Sequence, residues 1–268
     1  MRTRFAPSPT GYLHIGHIVN AIYVWGMARA AGGEVVCRIE DHDRQRSRPE
    51  YEAALLDDLD WLGFAPDVYA TDDFRRGACL GRQSDREEIY ESALALLVER
   101  HLVYGCDCTR KQLESPPYPG TCRDRGLPLR EGIGWRVRLE ADEGGDVLIR
   151  DRLCNWTYHW AATVDDTVQQ MTHVIRGEDL REATPRQIAL ARLLGREDPP
   201  AYVHHPLIMK SATQKVSKSD GDTGVRELRA AGWTPARLVG EAARLVGLQS
   251  DATPIAPADV HRLFAVPQ

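Results

Sequence analysis

The sequence has no apolar run long enough to cross a membrane. Its longest uninterrupted apolar stretch, from Ala21 to Ala28, contains Gly26, whereas a membrane-spanning helix needs about 20 consecutive apolar residues. The N-terminal segment from Met1 to Arg4 is followed by a proline-rich stretch and not by the hydrophobic region of a signal peptide. We therefore expect a cytoplasmic protein that has no membrane partner.

The chain also lacks a surplus of positive charge. It has 34 Lys and Arg residues against 39 Asp and Glu residues, which gives a formal net charge of −5 at pH 7. This balance excludes a polycationic coat for nucleic acid, but phosphate binding needs only local positive charge. A local basic surface is predicted from Arg123, Arg125, Arg130, Arg136 and Arg138.

The apolar pattern predicts an α/β fold. Residues 2–6 and 35–39 have the composition of strands, and residues 17–31 between them have that of a helix. Such a strand–helix–strand unit begins a doubly wound parallel sheet, and the same alternation returns after residue 164. Periodicity is weak from residue 106 to 130, where Pro, Gly and Cys are frequent, so we expect a metal-organised insertion there.

Two local patterns flank that insertion. Ser84 with Glu87 three residues later has the spacing of a capping box, which predicts a helix that begins at Ser84. Residues 135–139 alternate apolar and basic side chains, which predicts a half-exposed strand with Arg136 and Arg138 on one face.

The segment from Pro7 to His17 joins the first predicted strand to the first helix. Ligands of doubly wound folds bind where a strand leads into a helix N-terminus, and the free amides there favour phosphate. Gly16 would allow close approach of a nucleotide, and His14 and His17 could donate to charge on a phosphate. The residues alone are equally compatible with a Pro/Gly turn that carries surface histidines.

A second motif, Lys215-Val216-Ser217-Lys218-Ser219, lies about two hundred residues later. Together, His14-Ile15-Gly16-His17 and this motif resemble the HIGH and KMSKS signatures of class I aminoacyl-tRNA synthetases. The stretch from Arg4 to Gly11, with Arg38-Ile39-Glu40-Asp41 and the stretch from Arg176 to Leu180, is similar to the glutamyl branch. The resemblance covers roughly residues 2–248 and implies a Rossmann-like catalytic domain.

This resemblance implies a set of site residues for ATP and L-glutamate. Two arginines and one carboxylate match the charges of glutamate, which has two carboxylates and one ammonium group. The implied catalytic residues are His14, His17, Lys215 and Lys218. ATP, with Mg²⁺, is expected at His14, Gly16, His17 and Lys218. Glutamate is expected at Arg4, Phe5, Ala6, Pro7, Ser8, Glu40, Tyr158 and Arg176.

Three of the six cysteines, Cys106, Cys108 and Cys122, lie close together in the sequence. In a reducing compartment such a cluster favours metal binding over disulfides, and three thiolates suggest tetrahedral zinc. The residues leave the fourth ligand open between Tyr118, His101, Asp107 and water. The spacing resembles that of the glutamyl-queuosine tRNA(Asp) synthetases, which implies Tyr118 and one structural zinc.

Chain length favours the same enzymes. Only residues 220–268 follow Ser219, which is too short for the helical anticodon-binding domain that the resemblance implies for an ordinary glutamyl-tRNA synthetase. We therefore expect a monomeric enzyme that activates glutamate with ATP and transfers it to queuosine at the wobble position, with the tRNA(Asp) anticodon stem-loop as partner.

Two alternatives remain open. One is a truncated or specialised glutamyl- or glutaminyl-tRNA synthetase that charges the tRNA 3′ end, and the other is an inactive paralogue that binds nucleotide or RNA. The expected organisation has four parts: the first half of the nucleotide-binding domain (1–100), an inserted zinc-containing RNA-binding subdomain (101–163), the second half (164–225) and a helical C-terminal stub (226–268).

Overall fold

The chain begins with a strand–helix–strand unit. Strands β1 (Arg2–Phe5) and β2 (Glu34–Cys37) pair in parallel, and helix α1 (Ile15–Ala30) connects them. These three elements confirm the predicted ones to within two residues at each end. Helices α2 (Pro49–Leu62) and α3 (Thr71–Arg75) follow. The structure, a computed structural model, describes residues 1–109, 112, 118–208 and 224–264.

A three-stranded antiparallel sheet comes next in the chain. Its strand order is β3-β4-β5, and it lies between two helices. These elements are α4 (Glu87–Glu99), β3 (Val103–Cys106), β4 (Gly134–Val137), β5 (Val147–Arg150) and α5 (Tyr158–Val168).

The helix predicted to begin at Ser84 begins instead at Glu87. Residues Gln83–Asp85 form a 3₁₀ turn, and the Ser84 amide donates to Asp41 Oδ1 at 2.8 Å. This hydrogen bond fixes the turn to the loop that follows β2, so Ser84 does not cap the helix.

The last part of the chain returns to parallel pairing, between β6 and β7. Its elements are β6 (His173–Gly177), a 3₁₀ helix (Glu178–Ala183), α6 (Thr184–Leu193), β7 (Ala201–His205), α7 (Val225–Ala230), α8 (Pro235–Leu245) and a 3₁₀ helix (Pro257–Leu263).

Strands β1 and β6 lie side by side and run in the same direction. The Thr172 amide donates to the Arg2 carbonyl at 2.9 Å, and the Arg4 Nη1 donates to the Ile175 carbonyl at 3.3 Å. The four parallel strands therefore lie in the order β2, β1, β6, β7, with their carboxyl ends at one edge. In a doubly wound fold that edge is where a ligand binds.

Two apolar cores stabilise these layers. The larger core packs α1, α2 and α8 against the parallel strands, with Phe5, Ile22 and Leu238 fully buried. The second packs α4, α5 and α6 against the antiparallel sheet around Trp160. In the part of the chain that the structure describes, no helix combines the length and the apolarity that a membrane crossing requires.

Candidate active site

The loop between β1 and α1 holds two histidines at the helix N-terminus. His14 Nδ1 accepts a hydrogen bond from the Gly16 amide, and His17 Nδ1 accepts one from the His14 amide, each at 3.1 Å. Because both Nδ1 atoms accept, each neutral ring carries its proton on Nε2. A Cβ at position 16 would lie 2.8 Å from His14 Cε1, so glycine is needed for this cap. The sequence thus folds locally into a helix N-terminus with two imidazole N–H donors.

A cavity of about 540 Å³ opens at the carboxyl edge of the parallel strands. It is lined by every predicted ATP and glutamate residue that the structure describes, together with residues from β6 and β7. The predicted residues in this lining are Arg4, Phe5, Ala6, Pro7, Ser8, His14, Gly16, His17, Glu40, Tyr158 and Arg176.

The predicted lysines Lys215 and Lys218 lie outside the described residues. The chain on either side of them borders the cavity. Ile208 lines it, and Gly224 forms an antiparallel bridge with His14, beside which the Val225 amide donates to the Leu13 carbonyl at 2.9 Å. The described residues that precede and follow the second motif therefore lie close to the cavity.

Arg176 is a buried cation whose described hydrogen-bond partners are all neutral. It lies at the end of β6 with 4% of its surface exposed. Burial and the charge of Arg176 lower the pKa of His204, so that the neutral His204 Nε2 accepts from Arg176. The partners are His204 Nε2 at 3.3 Å, Tyr158 Oη at 3.1 Å, Gln187 Oε1 at 2.5 Å and Thr184 Oγ1 at 2.8 Å. The described part of the chain supplies no carboxylate to this guanidinium, which is left to attract an anionic ligand.

Arg4 and Glu40, in contrast, are tied into a buried ion-pair network. Arg4 Nε donates to Asp166 Oδ1 at 3.1 Å, and Arg38 bridges Asp166 at 2.8 Å and Glu40 at 3.0 Å. Burial alone would raise the pKa of Asp166, but Arg4 and Arg38 bring it below its ordinary value. This network fixes one cation and one carboxylate at the cavity wall.

The adjacent residue Asp165 collects a second set of donors. Its carboxylate accepts from Arg86 Nε at 2.6 Å, from Tyr90 Oη at 3.0 Å and from Gln83 Nε2 at 2.8 Å. The two acidic residues of α5 thus link the strands under the cavity to the start of α4.

The three clustered cysteines converge with a tyrosine. The Sγ atoms of Cys106, Cys108 and Cys122 lie within 4.8 Å of one another. Tyr118 Oη lies 3.5 Å from Cys106 Sγ and 3.6 Å from Cys108 Sγ. Burial alone raises the pKa of Cys106, but hydrogen bonds from Tyr118 and Arg136 lower it to about 7. Three thiols, one of them easily ionised, and a phenol fit the donor set of a tetrahedral zinc ion.

The other proposed fourth ligands fit less well. Asp107 Oδ1 is held by Arg125 Nη1 at 2.5 Å and faces Cys122 Sγ at 3.5 Å. His101 is exposed and does not belong to the group of metal-ligating side chains found among the described residues.

The predicted basic surface is wrong for Arg136. This side chain has 6% of its surface exposed, and its guanidinium carbon lies 3.9 Å from the centre of the Tyr118 ring. Stacking on the tyrosine draws Arg136 inward, away from the solvent. The neighbouring charges are partly neutralised by ion pairs: Arg123 with Asp146, Arg125 with Asp107 and Arg138 with Asp124.

Comparison with known families shows which family has this fold and site. The family model of tRNA synthetases class I (E and Q), catalytic domain, matches residues 1–117 and 123–255. The chain belongs to this family.

Relatives of this class I synthetase differ in how much of their own length it spans. Glutamyl-Q tRNA(Asp) synthetase of Rhodobacter capsulatus is 41% identical, over 92% of this chain and 100% of the relative. Glutamate–tRNA ligase 1 of Nitrosococcus oceani is 36% identical, over 99% of this chain and 61% of the relative. A solved glutamate tRNA ligase from Elizabethkingia meningosepticum, in complex with its amino acid, has a TM-score of 0.77 at 24% identity. It covers 98% of this chain and 64% of that structure, which supports the fold.

Some residues that hold the side chains of the synthetase cavity in place were not anticipated from the sequence. Asp166 holds Arg4, whereas Thr184, Gln187 and His204 orient Arg176. One signal for Asp166 was present, since two consecutive acidic residues in a helix that is otherwise mostly buried must pair with cations. Nothing comparable marks the partners of Arg176, which come from α6 and β7.

Proposed function

We propose that this synthetase activates L-glutamate with ATP as glutamyl-adenylate and transfers the glutamyl group to queuosine at the wobble position of tRNA(Asp). The observation that carries the proposal is the 41% identity to the Rhodobacter glutamyl-Q tRNA(Asp) synthetase over the whole of that relative. The charges of the cavity and the cysteine cluster add support from this chain's own residues.

Glutamate recognition follows from the different pairing of the two arginines. Arg176 has neutral partners, so one substrate carboxylate supplies its counterion through a bidentate pair. Arg4 is already held by Asp166 and presents its remaining donors to the second carboxylate. Glu40 receives the ammonium group. Glutamate therefore supplies the carboxylate that the described residues do not place against Arg176.

ATP binds with its phosphates at the N-terminus of α1. The Nε2–H groups of His14 and His17 donate to the phosphates, and Gly16 keeps the backbone accessible. Lys215 and Lys218 neutralise the pyrophosphate, with Mg²⁺ bound to ATP. A glutamate carboxylate oxygen attacks the α-phosphorus, and pyrophosphate leaves with the electrons of the broken P–O bond.

Cys106, Cys108, Tyr118 and Cys122 hold one structural zinc ion. Four protein ligands leave no open position for catalysis, so the metal organises the loops of the insertion. We propose that this part, residues 101–163, contacts the anticodon stem-loop. The two halves of the nucleotide-binding domain are residues 1–100 and 164–225, and residues 226–268 form the helical C-terminal stub. The enzyme is a monomer.

The acceptor is tested with two tRNA(Asp) samples that carry queuosine or guanine at the wobble position. The enzyme is given labelled glutamate and ATP, and the product is digested with a nuclease so that the label can be mapped. We expect label on the anticodon fragment of the queuosine-containing tRNA and none on the guanine-containing one, because guanine leaves the polar partners of the ring hydroxyls unpaired.

A second candidate function is charging of the tRNA 3′ end. Its basis is the 36% identity to the Nitrosococcus glutamate–tRNA ligase over 99% of this chain, but this chain spans 61% of that relative against 100% of the Rhodobacter glutamyl-Q tRNA(Asp) synthetase. Label on the 3′-terminal fragment, or equal charging of both samples, would replace the first proposal by this one.

A further inference from the structure

His42 lies next to a residue of the glutamate cavity, in the loop that follows β2. Its ring centre is 6.3 Å from that of Tyr158, which lines the cavity, and His42 itself lines a second cavity of about 340 Å³. The acidic residues on either side are engaged elsewhere: Asp41 accepts from the Ser84 amide at 2.8 Å, and Asp43 accepts from Arg46 at 2.6 Å.

A chain of hydrogen bonds fixes which nitrogen of His42 carries a proton. Gln83 lies between Asp165 Oδ2, at 2.8 Å, and His42 Nδ1, at 2.7 Å. Burial raises the pKa of Asp165 while Arg38 and Arg86 oppose that rise, and contact with these two cations favours the ionised carboxylate.

An ionised carboxylate only accepts hydrogen bonds, so the Gln83 amide must turn its NH₂ group toward Asp165. Its oxygen then faces His42 and requires an N–H at Nδ1. The neutral ring is consequently left with a lone pair on Nε2. This is the opposite tautomer from that of His14 and His17, whose Nδ1 atoms accept.

The carboxylates at the cavity wall are less suited to take up a proton. Glu40 accepts from Arg38 at 3.0 Å, and Asp166 accepts from both Arg4 and Arg38. Protonation of either would break a buried ion pair, which costs several kcal/mol. The imidazole of His42 has no such ion pair among the described residues.

We propose that His42 is the general base of the transfer step and that Gln83 is its positioning residue. This inference rests on the proposed function. The hydroxyl of the acceptor attacks the carbonyl carbon of glutamyl-adenylate, and its proton moves to His42 Nε2. An ester bond forms, the bond between the carbonyl carbon and the phosphate oxygen breaks, and AMP leaves with that electron pair. The imidazolium then returns its proton to the solvent.

The test separates activation from transfer in the full-length enzyme. His42→Asn retains a polar group that can donate to Gln83 but has nothing at the position of Nε2, and His42→Ala removes both. His261→Ala, in a separate cavity that Trp25 and Arg29 of α1 also line, is the matched control. ATP–pyrophosphate exchange with glutamate reports activation, and single-turnover transfer from preformed adenylate to queuosine-containing tRNA(Asp) reports the second step.

We expect both His42 variants to transfer glutamate about 100-fold more slowly, within the range of general-base catalysis, while exchange stays within twofold of the parent enzyme. Added imidazole should restore part of the transfer rate in His42→Ala. Transfer by His42→Asn at the parent rate would reduce His42 to a partner of Gln83, and equal losses of exchange and transfer would also overturn the inference. Failure of the parent enzyme to label the anticodon fragment contradicts the proposed function instead.

Discussion

Arg176→Met tests whether Arg176 pairs with a carboxylate of the substrate. The substitution keeps the length of the side chain but removes the cation that has no carboxylate partner among the described residues. Loss of one partner of a desolvated charge pair costs about 3 kcal/mol of binding, which corresponds to about a 100-fold fall in kcat/KM for glutamate. ATP–pyrophosphate exchange at varied glutamate concentration measures this effect.

The free energy of unfolding should change little in Arg176→Met, although activity falls. Arg176→Met removes a buried charge that has no counterion among the described residues, so the free energy of unfolding should change by about 1 kcal/mol at most. Arg4→Met is the matched control, because it leaves Asp166 with Arg38 as its remaining partner and should destabilise the protein by about 3 kcal/mol.

Urea denaturation of the two variants without substrate gives the comparison. The reasoning is refuted if Arg176→Met is as destabilised as Arg4→Met, since Arg176 would then have a structural counterion. A fall of less than tenfold in kcat/KM for glutamate would equally refute the assigned role of Arg176.

Three further predictions follow from the nucleotide motif, the cysteine cluster and a half-buried histidine. Lys218→Ala should slow ATP–pyrophosphate exchange by about 100-fold or more in a folded protein, as loss of a main charge-stabilising donor does; unchanged exchange would remove Lys218 from the site. Elemental analysis should find about one zinc per chain, lost in Cys122→Ser and kept in the control Cys154→Ser; metal-free parent protein prepared without chelator would contradict the zinc site. Burial lowers the pKa of His159 to about 4. The unfolded chain therefore takes up a proton first as the pH falls below about 6.5, and stability should drop by about 3 kcal/mol by pH 4. His159→Gln should flatten that part of the urea-denaturation profile, and an unchanged profile would show that His159 is not responsible.

The nucleotide half could be predicted because its signals are local. Strand β1, helix α1 and strand β2 follow from apolar runs. The small error at the helix start arises because His14 caps the helix and moves its first residue to Ile15. The glutamate-site residues were predicted from motif resemblance. Their partners could not be predicted, because they lie on α5, α6 and β7, which are far away in the sequence.

The insertion shows why the alternation of apolar and basic residues was a poor predictor of which arginines are exposed. The pattern of residues 135–139 suggested a face of arginines, but Arg136 stacks on Tyr118 and donates to the Asp146 carbonyl at 3.2 Å. Sequence periodicity describes which residues share a face, and it contains no information about an aromatic ring that arrives from a distant loop.

The adjacent carboxylates of Asp165 and Asp166 also bear on how the molecule unfolds and how it can be divided. Helix α5 packs in the core around Trp160, yet its two carboxylates bind cations from β1, from the residue after β2 and from the start of α4. A fragment that begins after Arg38 would keep Arg86 as a cation for two buried acids and lose Arg4 and Arg38, at a cost of several kcal/mol. The antiparallel sheet together with α4 and α5 is therefore not a transplantable module, and amide hydrogen exchange should show both cores opening in one cooperative event.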